Sequence, residues 1–193
     1  MRKLIFCAGC AAIAVTAFFS QAFALQVVLT ADEAALVTDP ENSTDQRVLA
    51  KYDLPDFLRS SRILHAQLTG NIQAVSAEGQ SVLELQAAPL STDWSPGTVS
   101  WMSPWRSAGG DMDLASSRSF FVWSGSAQIR IDVTDVVRQW AGGTRQNLGL
   151  MIRSAGLPGG HLSLPSPEDG LVGTSEFPTI KVWYLPAIEQ GTD

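Results

Sequence analysis

Six tryptophans, two histidines and 19 acidic residues hold most of the chemistry this chain can offer. A pyranose ring presents an apolar C–H face, so an open indole can stack on it while amides, carboxylates and guanidinium groups take the hydroxyls. Three tryptophans are candidates for such a platform. Trp105 stands just before the Gly-rich "RSAGGDMD", Trp123 closes "FFVW", and Trp183 has the opposite parity to Ile180 and Val182 in "TIKVWY". Burial under a loop is the competing fate for each of them. Arg106, beside Trp105, suits a carboxylated sugar, and a solvated loop arginine is the plainer alternative. In "GGDMD", Asp111 and Asp113 offer hard oxygen ligands to Ca²⁺, and the glycines leave backbone carbonyls free to join them. The full spacing of a calcium loop is absent, so a simple acidic turn competes with a structural calcium.

Catalysis finds less support. His65 and His161 fall in no triad or metal-ligand spacing, and the chain has neither a Gly-x-Ser-x-Gly elbow nor His-Glu-x-x-His. His65 alternates with Leu64 and Ala66, which reads as a surface position. An acidic pair of the glycosidase type stays open as an alternative, because folded distances are not written in a sequence. No catalytic residue is assigned, and no cofactor is expected beyond that calcium.

The elements that would position these residues are short. "MRKLIFCAGCAAIAVTAFFSQAFA" has the basic start, short apolar run and small-x-small end of a signal peptide, with cleavage expected after Ala24. A lipoprotein anchor at Cys10 is the rival reading. Cleavage would remove both cysteines, leaving Leu25–Asp193 as one domain held by packing without a disulfide. It would also remove Arg2 and Lys3 from 13 basic residues, leaving 11 against 19 acidic ones, a net charge of 8 negative. With no cluster of Lys and Arg along the sequence, nucleic acid and anionic membrane are poor partners, and no membrane insertion is expected after signal removal.

Short alternating runs separated by Gly, Pro, Ser and Asp predict an all-β domain. Val48, Ala50 and Tyr52 share one face; so do Leu64, Ala66 and Leu68, and again Leu83 and Leu85. Further strands are expected at 98–101, 120–123, 161–164 and 179–184, with loops at 103–119 and 154–175. "TADEAALV" conflicts with this pattern, since Thr30 and Glu33 form a capping box suited to a short helix.

The stretch "IRIDVTDVVRQWAGGTRQNLGLMIRS" makes a strand, a helical lid and a strand. Ile129, Ile131 and Val133 alternate, Thr134 is placed to cap a turn over 134–141, and Asp135 sits at its positive end. Val133, Val137 and Trp140 share one side, which makes Trp140 a core plug. Gly142 and Gly143 stop the helix, and Leu148, Leu150 and Ile152 face inward on return. This stretch resembles the hallmark of the DNRLRE domain family, which is related to a group of carbohydrate-binding modules. "RVLAKYDLPDFLRSSRILHAQL" resembles the family's strand pair around Phe-Asp-Leu, here Tyr52-Asp53-Leu54. "TDWSPGTVSWMSPW" resembles its Trp-rich segment and "SEFPTIKVWY" its closing strand.

The resemblance covers residues 26–184 and implies a jelly-roll β-sandwich of two antiparallel sheets. It assigns Trp101 and Trp140 to the core, with Trp94 packed beside them, and turns "TADEAALV" into a strand. Between Asp39 and Arg47 the Gly-rich segment usual in the family is missing, so a shortened or missing edge strand is expected there. The function it implies is secreted or periplasmic, non-catalytic binding of a polysaccharide or cell-surface glycan. The alternatives are a structural or adhesive module that contacts another protein, and a divergent polysaccharide-active enzyme.

Overall fold

The structure is a computed structural model that describes residues 23–43, 45–71, 73–75, 82–123, 128–155, 161–163 and 178–187, with backbone alone at 73–75 and 161–163. The signal segment, apart from its last two residues, lies outside these, as does the His161 side chain. Eleven strands and two α-helices are described: β1 (Leu25–Leu29), β2 (Glu33–Thr38), β3 (Gln46–Lys51), α1 (Asp56–Ser60), β4 (Arg62–Asn71), β5 (Gln73–Val75), β6 (Val82–Pro89), β7 (Arg118–Trp123), β8 (Gln128–Asp132), α2 (Thr134–Ala141), β9 (Leu150–Ser154), β10 (His161–Ser163) and β11 (Thr179–Leu185). One four-stranded sheet has the order β1-β11-β4-β8, and a five-stranded sheet has the order β2-β3-β9-β6-β7. Every pairing is antiparallel. The chain passes repeatedly from one sheet to the other, and its last long strand lies between the first and the fourth. That nesting of first and last strands is jelly-roll connectivity. A separate β5–β10 pair completes the strands.

The sandwich interior forms where inward parities of the two sheets meet. Val48, Ala50, Leu83, Leu85, Val122, Leu150 and Ile152 from one sheet pack against Ala66, Leu68, Ile129, Ile131, Ile180 and Val182 from the other. Trp140 of α2 seals one end of this interior, with Val133, Val136 and Val137 beside it. The lid follows the sequence reading except at its cap. Val133 occupies the N-cap position, and the Asp132 carboxylate accepts from Thr134 N at 2.8 Å. The Thr134 hydroxyl instead accepts from Ala66 N at 2.9 Å, tying α2 to β4. Gly143, at φ +68°, ends the lid in a conformation that favours glycine.

Four expectations are corrected. Residues 98–101 form no strand, because Ser95-Pro96-Gly97 folds back and Ser95 O accepts from both Thr98 N and Val99 N. Leu64 does not share the face of Ala66. The β4–β11 register shifts beside it, so Ile63 pairs with Tyr184 and enters the core while Leu64 stays half-buried. Leu148 joins an outer apolar cluster, since Gly149, at φ +91°, breaks the alternation before Leu150. The edge strand after "TAD" is intact, with β2 paired to β3 from Glu33↔Lys51 to Thr38↔Gln46. Asp39 N donates to Asp45 O at 3.0 Å and closes the hairpin that the missing Gly-rich segment would have lengthened. Cross-strand pairing of "EAALVT" thus overrides its helical propensity. Among the described residues no helix is long and apolar enough to cross a membrane.

Candidate functional site

The outer face of the five-stranded sheet divides into a covered half and a bare half. Residues directly opposite on antiparallel strands share a face. Leu49↔Met151 and Met151↔Ala88 therefore form an outward row, and the 90–112 segment lies over it. Trp94, Trp101 and Trp105 pack there against Val37, Leu49, Leu90 and Met151. Their polar edges are satisfied within the cover. Trp94 Nε1 donates to Leu148 O at 3.0 Å and Trp105 Nε1 to Ser100 O at 2.8 Å, while the Arg47 guanidinium lies 4.2 Å from the Trp101 ring centroid. Gly110, at φ +109°, brings the segment down onto the sheet, and a Cβ there would overlap the Met151 methyl.

Two residues along, the cover still reaches Arg47, and from there toward β7 no described segment lies over the sheet. Gln86 faces Arg153, Arg153 faces Arg47, Glu84 faces Phe121, and Val82 faces Trp123. Phe121 is 70% exposed and Trp123 68%, on the edge strand β7. Alternate residues of a strand lie roughly 7 Å apart on one face, so the two rings form an extended apolar strip beside polar side chains. Arg153 Nε donates to Gln86 Oε1 at 3.0 Å, which fixes both on that face.

Between the two halves lies a cleft of about 460 Å³, bordered by Arg47, Arg106, Asp111, Met112, Leu114 and Arg153. Arg47 is 8% exposed; it donates to Gly109 O, and Asp45 lies 3.6 Å away. Its Nε has no partner among the described residues. Burial lowers the Arg47 pKa, Asp45 counteracts this, and the neighbouring Arg153 charge adds to the lowering.

The candidates read from the sequence disperse over these surroundings. Trp123 is on the bare strip. Trp105 is not open: at 8% exposed, with its indole N–H bonded inside the cover, it is a packing residue. Trp183 is half-buried and stacks on His65 with centroids 5.2 Å apart, so His65 is not a plain surface residue either; its Nδ1 lies 3.2 Å from the Thr134 hydroxyl. Arg106 is exposed at the mouth of the cleft.

Asp111 and Asp113 hold different parts of the loop. Asp111 accepts from Arg106 N at 2.9 Å, Ser107 N at 3.0 Å and the Thr92 hydroxyl at 2.7 Å. Desolvation would raise its pKa, but these donors and the Arg106 charge hold it below the usual carboxylate value. Asp113 takes Arg145, the Ser116 hydroxyl and Ala115 N, and the Arg145 bond is the largest cause of its lowered pKa. Among the described residues no group of three or more His, Cys, Asp and Glu side chains gathers to hold a metal ion.

Phe121, Glu84, Gln86, Arg47 and Arg153 were missed from the sequence. The signal for Phe121 was present, because "SFFVW" is apolar at both parities and one sandwich interior uses only one of them. The arginines lie more than a hundred residues apart, and only the β3–β9 pairing brings them together. Compared with known proteins, the chain matches no family model, and no curated protein is significantly similar to it.

Proposed function

We propose that the protein is an exported, non-catalytic module that binds a polysaccharide or cell-surface glycan on the bare half of its five-stranded sheet, as the DNRLRE-like motifs imply. The observation that carries this reading is the pair Phe121 and Trp123, both about two-thirds exposed on one strand face. Isolated exposed aromatics are ordinary, whereas adjacent coplanar positions on a sheet offer a strip on which successive sugar rings can stack. Glu84, Gln86 and Arg153 lie on the same face to accept and donate to hydroxyls. A structural calcium at Asp111 and Asp113 remains a subsidiary proposal, to be read from whether millimolar Ca²⁺ raises the melting temperature above that in chelator.

A protein-contact reading has one observation in its favour. The strip belongs to a strand at the edge of the described sheet, whose outer backbone pairs with no other described strand and could accept one from a partner. A glycan array with the chain from Leu25 onward separates the two. Saturable binding to one polysaccharide class, lost in Phe121→Ala and Trp123→Ala, supports glycan recognition. Capture of a protein partner with an empty array supports the adhesive reading instead.

A further inference from the structure

We infer that the cleft between Arg47, Arg106 and Arg153 is an oxyanion seat, so that the bound glycan carries a carboxylate or sulfate substituent. For its polymer the inference rests on the glycan reading above; the seat itself does not. Three separate segments converge on this cleft, β3 through Arg47, the covering loop through Arg106 and β9 through Arg153. Each brings donor capacity that the fold leaves unused. Arg47 is over nine-tenths buried, yet its Nε has no acceptor among the described residues. Arg153 spends its Nε on Gln86, and neither of its terminal nitrogens is engaged by a described residue. The Arg106 guanidinium makes no hydrogen bond or ion pair with a described side chain, although its backbone N–H is fixed by Asp111.

A buried N–H without an acceptor is costly, and two guanidinium groups directly opposite on paired strands repel each other. An oxyanion offsets this repulsion by bonding Arg106 and Arg153, whereas the Arg47 Nε is enclosed by protein and Arg47 contributes only its charge. The planar fork of arginine matches a carboxylate or sulfate through two parallel bonds, and such charge-assisted bonds are the strong ones. The acids near the seat are Asp111, whose oxygens accept from Arg106 N, Ser107 N and Thr92 and whose charge acts on the Arg106 guanidinium, and Asp45 and Asp39, which act on Arg47. At about 460 Å³ the cleft is within the size range of small-ligand sites. It lies two strands from Phe121, roughly 10 Å across the sheet, so one chain of sugars can reach both. From Leu25 onward, 11 basic against 19 acidic residues give a net charge of 8 negative, which opposes a densely charged polymer and favours a sparsely substituted one.

The test compares neutral dextran, carboxymethyl dextran and dextran sulfate at one matched low degree of substitution, by titration calorimetry with the chain from Leu25 onward. A second arm follows the melting temperature as inorganic sulfate is added. Tighter binding of a charged dextran than of dextran, weakened at least tenfold in Arg106→Gln and in Arg153→Gln and falling with added salt, is the expected result. Which charged dextran binds tells carboxylate from sulfate. Arg106→Gln keeps the backbone N–H that Asp111 accepts and removes no side-chain hydrogen bond to a described residue, and its melting temperature, taken beside the titration, separates lost binding from misfolding. Equal binding of all three dextrans, unchanged in both variants, overturns the seat and leaves the glycan reading standing. Should no dextran bind while sulfate raises the melting temperature in the parent but not in Arg106→Gln, the seat stands and the glycan reading loses its support. If sulfate has no effect and no charged dextran binds better than the neutral one, the seat is overturned.

Discussion

Trp94, Trp101 and Trp105 on one half of the outer sheet face, and Phe121 and Trp123 on the other, are aromatic residues of the same kind with opposite fates. The first three lie on a segment that folds over the sheet, where the rings bury against Leu49 and Met151 and the indole N–H groups of Trp94 and Trp105 find carbonyls. The other two are strand residues whose side chains meet no cover, and both remain about two-thirds exposed. An aromatic on an outward parity is therefore uninformative until its cover is known. Covering one half stabilises the sheet, and leaving the other bare costs the favourable transfer of two large rings, of order a few kcal/mol. Forgoing that stabilisation on an edge strand leaves open the strip on which the proposed glycan would stack.

The contrast breaks most sharply at Trp105. Trp105→Ala would open a cavity in the cover and strand the Ser100 carbonyl, with an expected loss of about 3–5 kcal/mol. Trp140→Ala, in the sandwich interior, should cost a similar amount, because Trp140 is 3% exposed. Urea denaturation of both variants checks this. A loss below about 1 kcal/mol at Trp105 would return it to the open side of the comparison.

A smaller effect is expected where the cover touches the sheet. Gly110 combines φ +109° with contact to Met151, so Gly110→Ala should lift the loop and cost about 1–3 kcal/mol. Proteolysis should then cut the 90–112 segment sooner than in the parent. An unchanged cleavage rate would mean that the cover is held elsewhere.

Smaller again is the contribution of Asp111, which ties Thr92 to Arg106 and Ser107. Its pKa is lowered in the folded chain, so its stabilisation is present above the unfolded value of about 3.9 and is lost as pH falls through the folded value. Asp111→Asn should cost about 1 kcal/mol near neutral pH and progressively less as acid protonates the parent's carboxylate. Parallel melting curves of parent and variant across pH 2–7 measure the difference. Curves separated equally at both ends would show that ionisation of Asp111 is not what holds the loop.

The sandwich was legible because its signal is local and repeated. Alternation along "RVLAKYDL", "SVLELQ" and "TIKVWY" names the interior parity strand by strand, and the lid from Thr134 to Gly143 has helical spacing and a glycine stop. Legibility ended where one face had two possible fates. Val48 and Leu49 are equally buried, yet alternation assigns only Val48 to a core, since the cover over Leu49 comes from residues forty positions away. Trp105 was left between platform and packing residue for that reason, and "TVSW" read as a strand although its tryptophan packs in the cover. The bulge at Leu64 follows from pairing with β11, which no window around Leu64 contains. The arginine cleft was illegible in the same sense: composition reports no basic cluster, and the cluster exists only across the β3–β9 register.

The smallest effect on folding is expected at Trp123, where it is most diagnostic. Its ring is 68% exposed and faces Val82 across the edge pair, so Trp123→Ala removes little buried area and should change stability by less than about 0.5 kcal/mol. In binding the same substitution should act in the opposite proportion. The few aromatic anchors of a recognition surface supply most of its energy, and loss of a contact worth about 2 kcal/mol weakens affinity roughly thirtyfold. Phe121→Ala should behave likewise, and the double variant should bind no glycan while melting as the parent does. Titration of each variant with the polysaccharide found on the array, beside its melting curve, places it on one side of the comparison. A Trp123→Ala protein that loses as much stability as Trp105→Ala would mean that a cover closes over β7 in solution and the sheet has no bare half. A variant that melts and binds as the parent would leave the face bare but unused, and would move the search for the glycan to another surface.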